Sequence, residues 1–218
     1  MQIGILGTGI VGNTIGSKLV KLGHQVMMGS RTADNEKGKE FAKANGSKAS
    51  HGTFADAAKF GEVIFNCTSG GVSLNVLQMT GADNMEGKIL IDVSNPLDFS
   101  KGMPPVLIPS LSNTTSVGEA IQKAYPGVKV VKTFNTMNTN IMVNASLVKG
   151  EHDVFICGND KDAKAKVKEM LSWFEWKPGN IVDLGDITGS RGMEMILPLW
   201  IRLWGVYQSP NFNFRIAR

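Results

Sequence analysis

The sequence predicts an α/β fold of the Rossmann type, with a doubly wound, mainly parallel sheet and a small C-terminal α/β extension. Two observations predict this class. Short β-branched runs alternate with helical patterns along the 218 residues, as parallel strands joined by crossover helices do. A glycine-rich loop follows the first predicted strand and opens the first predicted helix, which is typical of a dinucleotide-binding unit.

Eight short runs have the length and composition of strands. The predicted strands span Ile3–Leu6, Gln25–Met28, Ser47–Ser50, Val63–Asn66, Ile89–Val93, Val128–Thr133, Val154–Cys157 and Ile181–Asp183. The segment from Ser94 to Ser116 is rich in Pro, Ser, Asn and Gly and is predicted to be a loop. Because loops after parallel strands form the ligand side of such folds, its length favours a binding role.

Apolar residues at helical spacing predict the helices between these strands. The residues that the first helix is expected to turn toward the sheet are Ile10, Ile15, Leu19, Val20 and Leu22. Gly23 stands where that helix would stop. A second helix is predicted to start near Asn35 and to carry Phe41.

Two further helices have clear signals. Thr53, with Asp56 three residues later, predicts a capped helix start, and this helix is expected to end near Phe60. The segment from Lys161 to Trp173 is amphipathic, with lysines on its outer face. Its predicted inward-facing residues are Val167, Met170, Leu171 and Phe174.

Composition favours a soluble protein that binds a small anionic ligand. Hydrophobic residues make up 42% and charged residues 19% of the chain, and the net charge is +4. Nucleic-acid binding requires a more concentrated basic surface, so no nucleic-acid partner is expected. Cys67 and Cys157 each follow an apolar run and are interpreted as small core residues, and they predict neither a disulfide framework nor a metal site.

No targeting segment or membrane span is expected. The chain enters a strand-like run directly after Met1, without a basic start or a long apolar core. Its most apolar C-terminal stretch is interrupted by Pro198 and Arg202 and is too short to cross a bilayer. A cytoplasmic location is therefore predicted.

The first loop has the G-x-G-x-x-G pattern between a predicted strand and a predicted helix, the context in which this pattern is specific for dinucleotide binding. Gly7 permits a tight turn, Gly9 lets a pyrophosphate approach the backbone, and Gly12 lets the helix pack close to the strand. The helix N-terminus offers unpaired N–H groups and a positive dipole end to phosphates. The predicted phosphate-binding residues are Gly7, Thr8, Gly9, Ile10, Val11 and Gly12.

The second strand ends where an NAD enzyme carries an acidic residue, and this chain has Gly29 and Ser30 there. A carboxylate would bind the ribose 2′-hydroxyl and repel a 2′-phosphate. Arg31 instead offers a planar cationic fork, and Ser30 and Thr32 add hydroxyl donors. The pattern predicts NADP(H) as the cofactor in preference to NAD(H), although a solvated turn that caps the next helix would have similar residues.

The runs "GTGIVG", "GSRT" and "VKTFNT", with the later "CGNDKDAKAKV" and "GSRGMEMILPL", resemble the coenzyme F-420-dependent NADP oxidoreductases. The reductase domains of ferric-reductase membrane proteins are relatives of that family. The resemblance implies a Rossmann domain in residues 1–140 that binds NADP(H). It also implies a small C-terminal region, residues 141–218, that covers the nicotinamide side and contributes a possible dimer contact. Hydride would pass directly to a second flat cofactor, F-420, FMN or FAD.

The same resemblance assigns roles to strand-end residues. Thr68 and Ser69 would approach the ribose, and Asn95 and Pro96 would border the nicotinamide. A strand-end asparagine is also a common turn former. Asn135 is the candidate for the reaction centre, with an orienting role, because an amide hydrogen-bonds but does not act as an acid or base at neutral pH. Archaeal F-420-dependent members tend to carry histidine at this place, so the deazaflavin acceptor stays open.

Other C-terminal residues are interpreted as packing groups. The C-terminal stretch also contains Arg191 and Glu194, and the residues taken as core or subunit contacts are Met193, Met195, Trp200 and Trp204. The tail alternates Phe212, Phe214 and Ile216, which predicts a strand with one apolar face and favours a homodimer. The three histidines, His24, His51 and His152, show no metal-ligand spacing and are expected at the surface.

Two alternative functions remain open from the sequence. A non-catalytic NADP(H)-binding sensor would keep both nucleotide motifs. A small imine or hydroxyacid reductase shares the opening motifs, but such enzymes add a large helical domain with a catalytic lysine or similar donor. Only some eighty residues follow Thr133, which argues against this second alternative.

Overall fold

The computed structural model describes residues 1–217, which fold around one eight-stranded sheet. In chain order the strands are β1 (Gln2–Leu6), β2 (Gln25–Ser30), β3 (Ala49–Thr53), β4 (Val63–Asn66), β5 (Ile89–Asp92), β6 (Leu97–Asp98), β7 (Val106–Leu107), β8 (Lys129–Thr133), β9 (Val154–Gly158) and β10 (Ile181–Asp183). All except β6 and β7 belong to this sheet, and those two form a short antiparallel hairpin. The helices are α1 (Ile10–Lys21), α2 (Glu36–Asn45), α3 (Phe54–Phe60), α4 (Ser73–Thr80), α5 (Val117–Ala124), α6 (Thr139–Met142), α7 (Lys161–Ser172), α8 (Ser190–Met195) and α9 (Leu197–Tyr207).

The strand order across the sheet is β10-β9-β8-β5-β4-β1-β2-β3. Neighbours from β3 to β8 run parallel, so that their carboxyl ends share one edge of the sheet. Strand β9 runs antiparallel to β8, and β10 runs parallel to β9. This is the Rossmann order with two reversed strands added, and the predicted fold class is confirmed.

The apolar residues pack in two layers, one on each face of the sheet, as expected when helices cover both faces. Ile15 and Leu19 of α1 lie in one layer with Phe41 of α2 and Val167 of α7. Val117 and Ile121 of α5 lie in the other layer. Met193 and Trp200 are buried core residues, whereas Met195 and Trp204 are exposed. The core interpretation is therefore confirmed for Met193 and Trp200, and a subunit contact at Met195 and Trp204 stays a prediction.

The eight predicted sheet strands are present; Val63–Asn66 and Ile181–Asp183 have the predicted bounds, and the ends of the others differ by at most three residues. The Thr53–Asp56 capping box also forms, because the Thr53 hydroxyl accepts from the Asp56 N–H and the Asp56 carboxylate accepts from the Thr53 N–H. The predicted loop from Ser94 to Ser116 contains the β6–β7 hairpin, which its Pro and Ser content concealed. The division at residue 140 stays a prediction, and β9 and β10, which follow it, hydrogen-bond into the same sheet as β1 to β8.

Some expectations for single residues are wrong. Ile10 and Leu22 are exposed, because they lie at the two ends of α1, where the helix extends beyond the sheet. His152 is buried rather than on the surface. Its Nε2 lies 2.9 Å from the Ala145 carbonyl oxygen, and its ring packs edge-on against Trp176. Packing against residues distant in sequence thus overrides the local turn signal.

Up to residue 217 the tail is not a strand, because in that part of the chain only its Phe214 carbonyl pairs with the neighbouring backbone, accepting from the Asp153 N–H at 2.8 Å. Side chains hold it instead: Arg215 pairs with the Asp153 carboxylate at 2.9 Å, and Phe212 stacks on Trp200. None of the helices in residues 1–217 has the length and hydropathy needed to cross a bilayer.

Candidate functional site

Loops after the parallel strands meet along the carboxyl edge of the sheet. The Gly7 N–H donates to the Gly29 carbonyl at 3.0 Å, which joins the ends of β1 and β2. Gly70 donates to the Asn95 carbonyl at 3.0 Å, which joins the loops after β4 and β5. The Asn95 side chain then donates to the Asn135 carbonyl at 2.9 Å, reaching the end of β8. The sequence-predicted site residues therefore lie along one continuous edge.

The phosphate loop has the shape that its glycines predict. Gly7 has φ of +113°, a conformation that favours glycine. A Cβ on Gly12 would overlap the Gly7 carbonyl oxygen, so only glycine lets α1 pack this close. A Cβ on Gly9 would meet nothing within 4 Å, which leaves open space above the loop. The first turn of α1 has no acidic residue and no side-chain cap, so its N–H groups are free for an anion.

The end of β2 is open and cationic. Ser30 is buried and its hydroxyl donates to the Thr32 carbonyl at 2.5 Å, which shapes the turn. Arg31 and Thr32 are exposed. Within residues 1–217 no carboxylate lies within salt-bridge distance of Arg31, so its guanidinium is available to a ligand. The nearby Lys39 is held by Asp34 and Glu36.

A cleft of about 240 Å³ opens at the carboxyl ends of β1, β4 and β5. Its lining residues are Val11, Cys67, Thr68, Ser69, Val93, Ser94, Asn95, Leu97 and Phe99. Thr68, Ser69 and Asn95 were predicted from sequence, and the buried Pro96 lies next to them. Burial raises the pKa of the Cys67 thiol far above its ordinary range, so this sulfur stays protonated and unreactive.

Asn135 is almost fully buried at the end of β8. Its Nδ2 donates to the Asn95 Oδ1 and to the Met193 carbonyl, each at 2.8 Å. Its Oδ1 is buried and has no partner among the described residues. The preceding Phe134 has φ of +67°, a conformation uncommon for a bulky residue. The backbone thus turns sharply where this unpaired acceptor is held.

Behind this edge lies a buried charge cluster that we define as Asp92, Lys132 and Glu194, and that the sequence analysis missed. The Lys132 ammonium lies 2.7 Å from the Asp92 carboxylate and 2.8 Å from the Glu194 carboxylate. Burial opposes a charged lysine, but the two carboxylates outweigh it, and the pKa of Lys132 lies above its ordinary value. Burial raises the pKa of Glu194, which Lys132 offsets only in part.

The cluster continues to the cleft through polar side chains. Asn66 donates to the Asp92 carboxylate at 2.8 Å, and its Oδ1 accepts from the Thr68 hydroxyl at 2.7 Å. Ser94 donates to the same Asp92 oxygen at 2.7 Å. A polar residue within an apolar run, as in "ILID", "VVKT" and "MEMIL", was the available signal. Such residues are rarely buried unless they are paired, so each run pointed to a partner elsewhere.

The residues present fit a phosphorylated dinucleotide. The open space above Gly9 and the free N–H groups of α1 suit a pyrophosphate. The guanidinium of Arg31 suits a 2′-phosphate, because no acidic side chain among residues 1–217 is paired with it. The Asn95 side chain lines the cleft and is held by Asn135, which leaves it oriented toward the space where a nicotinamide would bind. In residues 1–217 no group of His, Cys, Asp and Glu side chains is arranged to hold a metal ion.

A family profile and individual relatives both show similarity of this chain to NADP-dependent reductases. The profile of the family described as NADP oxidoreductase, coenzyme F420-dependent, matches residues 2–96. The F420-dependent NADP reductase of Methanocaldococcus jannaschii is 29% identical over 227 residues, which cover 100% of this chain and 98% of that protein. Metalloreductase STEAP3 of Rattus norvegicus is 30% identical over 203 residues, which cover 91% of this chain. The chain spans 38% of the length of STEAP3.

Solved structures also resemble this chain, one in sequence and fold and one in fold alone. A candidate F420-dependent NADP reductase from Arthrobacter sp. FB24 is 46% identical, with a TM-score of 0.91 and coverage of 99% of both chains. An imine reductase from Streptomyces aurantiacus is 15% identical, with a TM-score of 0.68 and coverage of 95% of this chain and 64% of that one. At that identity the second likeness concerns the fold alone.

Proposed function

The chain belongs to the family of coenzyme F420-dependent NADP oxidoreductases, and on that premise we propose that it transfers hydride directly between the nicotinamide of NADP(H) and a deazaflavin or flavin-type acceptor. The observation that carries the proposal is the lining of the cleft. Apart from the Cys67 thiol, whose pKa is raised, no lining residue is an acid or a base. Hydride transfer to a flavin-type ring requires only alignment, whereas imine or ketone reduction also requires a proton donor beside the new N–H or O–H bond.

In this proposal the cofactor's phosphates bind at the first two strand ends. The N–H groups of the Gly7–Gly12 loop hold the pyrophosphate, and Arg31 holds the 2′-phosphate with the Thr32 hydroxyl. Ser30 shapes this turn through its bond to the Thr32 carbonyl. When bound, NADPH supplies the hydride.

The other strand ends orient the nicotinamide half. Thr68 and Ser69 face the ribose from the loop after β4, and Asn95 and Pro96 border the ring from the loop after β5. Asn135 orients the ring through Asn95, because its Nδ2 donates to the Asn95 Oδ1 and fixes that side chain in the cleft lining. The apolar Leu97 and Phe99 help to exclude water from the cleft.

The experiment is an acceptor panel. NADPH oxidation is followed by absorbance with F420, FMN, FAD and a ferric chelate offered in turn, and the same panel is repeated with NADH. We expect turnover with at least one ring acceptor and a strong preference for NADPH. Tight NADPH binding without turnover on any acceptor would contradict the proposal and favour a non-catalytic sensor.

The acceptor, the cytoplasmic location and a homodimer form the finer part of this proposal. Support for a second copy comes from exposed apolar side chains of α9, namely Leu199, Trp204, Val206 and Tyr207. Sedimentation of the purified chain is expected to give twice the monomer mass, and a monomer at all concentrations would remove the dimer.

A further inference from the structure

We propose that Glu194 is a positioning residue that, through Lys132 and through its neighbour Met193, fixes the strand ends beside which the nicotinamide half of NADP(H) binds. The inference rests on the proposed function, because it concerns the same cleft. It adds a residue that touches neither the cleft nor the cofactor. Glu194 lies on α8, 62 residues after Lys132, and is 1% exposed.

All the contacts of the Glu194 carboxylate are with donors. Its Oε2 accepts from the Val117 N–H at 2.8 Å, and its Oε1 accepts from the Gly118 N–H at 3.2 Å and from the Lys132 ammonium at 2.8 Å. Val117 and Gly118 are the first residues of α5, so the carboxylate also meets the positive end of a helix dipole. The side chain therefore joins α5, α8 and β8 at one point.

Two short routes lead from this point to the cleft. On the first, Lys132 binds Asp92, Asp92 binds Asn66, and Asn66 accepts from Thr68 in the cleft lining. Each of these three hydrogen bonds is between 2.7 and 2.8 Å long. Asp92 and Lys132 are neighbours across the β5–β8 pair, so that the cluster locks the two strand ends together.

The second route is shorter. The carbonyl of Met193, the residue before Glu194, accepts from Asn135 at 2.8 Å. If α8 shifts, this carbonyl shifts too, and Asn135 loses one of the two acceptors that hold its amide. The Asn95 side chain, which Asn135 holds in the cleft lining, would then lose its fixed orientation. The charge on Glu194 is thus coupled to the orientation of Asn135 without a contact between the two side chains.

A second carboxylate makes a matched control. Glu119 of α5 also ties α5 to α8, through a two-pronged ion pair with Arg191. It lies at the rim rather than in the cluster, and its other side-chain partner is Ser116. If Glu194 only docked α8 against α5, the Glu119 and Glu194 variants should lose NADPH affinity equally. If Glu194 positions the strand ends through Lys132, only the Glu194 variant should lose it.

The experiment compares Glu194→Gln with Glu119→Gln by titrating NADPH and 2′,5′-ADP, which has the 2′-phosphate but lacks the nicotinamide half. We expect Glu194→Gln to keep its affinity for 2′,5′-ADP within about twofold and to lose about tenfold for NADPH, or about 1.4 kcal/mol. We also expect Glu194→Gln to show a smaller enhancement of nicotinamide fluorescence on NADPH binding and a lower kcat. Glu119→Gln should match the wild type in all four measurements.

Several outcomes separate the possibilities. Unchanged NADPH affinity and kcat in Glu194→Gln, or equal losses in both variants, would overturn the positioning role. A wild-type chain that binds NADPH no better than 2′,5′-ADP would instead count against the proposed function itself. Circular dichroism and thermal melting verify folding. If Glu194→Gln does not fold, Glu194→Asp keeps the charge but is too short to reach both Lys132 and α5, and it should show the same pattern in weaker form.

Discussion

The two ends of the site are built differently. The adenosine end, comprising the Gly7–Gly12 loop and the Ser30–Thr32 turn, has open backbone donors and a free exposed cation. The nicotinamide end, comprising Asn95, Asn135 and the buried charge cluster, is fixed by hydrogen bonds before any ligand arrives. The difference indicates that the first end selects a charge, whereas the second end sets an orientation.

The largest expected effects come from glycines at the adenosine end. Gly12→Ala would force α1 away from the loop, because its Cβ overlaps the Gly7 carbonyl, and it should destabilise the fold by about 3 kcal/mol. Gly9→Ala meets no protein atom and should leave the melting temperature unchanged while abolishing NADPH binding. Denaturant titration measures the stability of the two variants, and calorimetry measures their NADPH binding. Equal behaviour of the two variants would show that this end has no space reserved for a ligand.

The next effect concerns charge selection. Arg31→Ala should weaken NADPH binding by about 1.5–3 kcal/mol, the range for hydrogen bonds to charged groups, and leave NADH binding unchanged. Calorimetric titration of both dinucleotides measures this, with Arg202→Ala on α9 as an exposed arginine control. An equal loss for the two dinucleotides would mean that Arg31 does not recognise the 2′-phosphate.

At the nicotinamide end a change in rate is expected instead. Asn135→Ala removes the orienting amide and should lower the hydride-transfer rate about tenfold, or about 1.4 kcal/mol, with 2′,5′-ADP binding retained. Asn138→Ala is the matched control, because this asparagine caps α6 by accepting from the Asn140 N–H instead of holding Asn95. Stopped-flow oxidation of bound NADPH gives the rate. A normal rate in Asn135→Ala would leave the strand end without an orienting role.

The smallest expected effect is on the stability of the fold and concerns Asp183, which lies outside both ends of the site. Burial disfavours the Asp183 carboxylate, but Lys164, Lys168 and the Gly185 N–H outweigh it and lower its pKa to about 2. Because this pKa lies below the unfolded value of about 4, the carboxylate stabilises the fold above pH 4. That contribution is lost as the pH falls from about 4 through about 2.

Asp183→Asn should therefore cost about 1 kcal/mol at neutral pH, after allowance for solvent screening, and nothing near pH 2. Urea unfolding across this pH range measures the difference. Glu169→Gln, which removes an exposed pair with Lys166, should change stability by less than about 0.5 kcal/mol. A cost for Asp183→Asn that does not vary with pH would rule out the ion pairs as its source.

Periodicity and local motifs predicted most of the fold. The runs that became β1, β4 and β5 are short and apolar, and the sheet buries them as such residues require. The direction of β9 was not predictable, because "VFICG" has the same composition whether it runs parallel or antiparallel to β8. The tail was misjudged for a related reason. Alternation indicates two faces, but a strand also needs a neighbour with free backbone groups.

The candidate site divides in the same way. The Gly7–Gly12 loop and the Arg31 turn are contiguous motifs, and their context in the sequence is informative. The charge cluster joins Asp92, Lys132 and Glu194 across 102 residues of sequence. Each of these residues lies in an apolar run, which indicates a buried partner without identifying it, and only the strand pairing and the return of α8 to the carboxyl edge bring the three together.

The empty space above Gly9 also bears on how such chains diverge. An added Cβ there meets no protein atom within 4 Å, so we expect an alanine to leave the fold intact and to remove only the ability to hold a dinucleotide. Natural selection for a well-folded protein would therefore not eliminate such a change. Among descendants of this scaffold, the residue at this one position should distinguish working catalysts from relatives that have been recruited to other tasks.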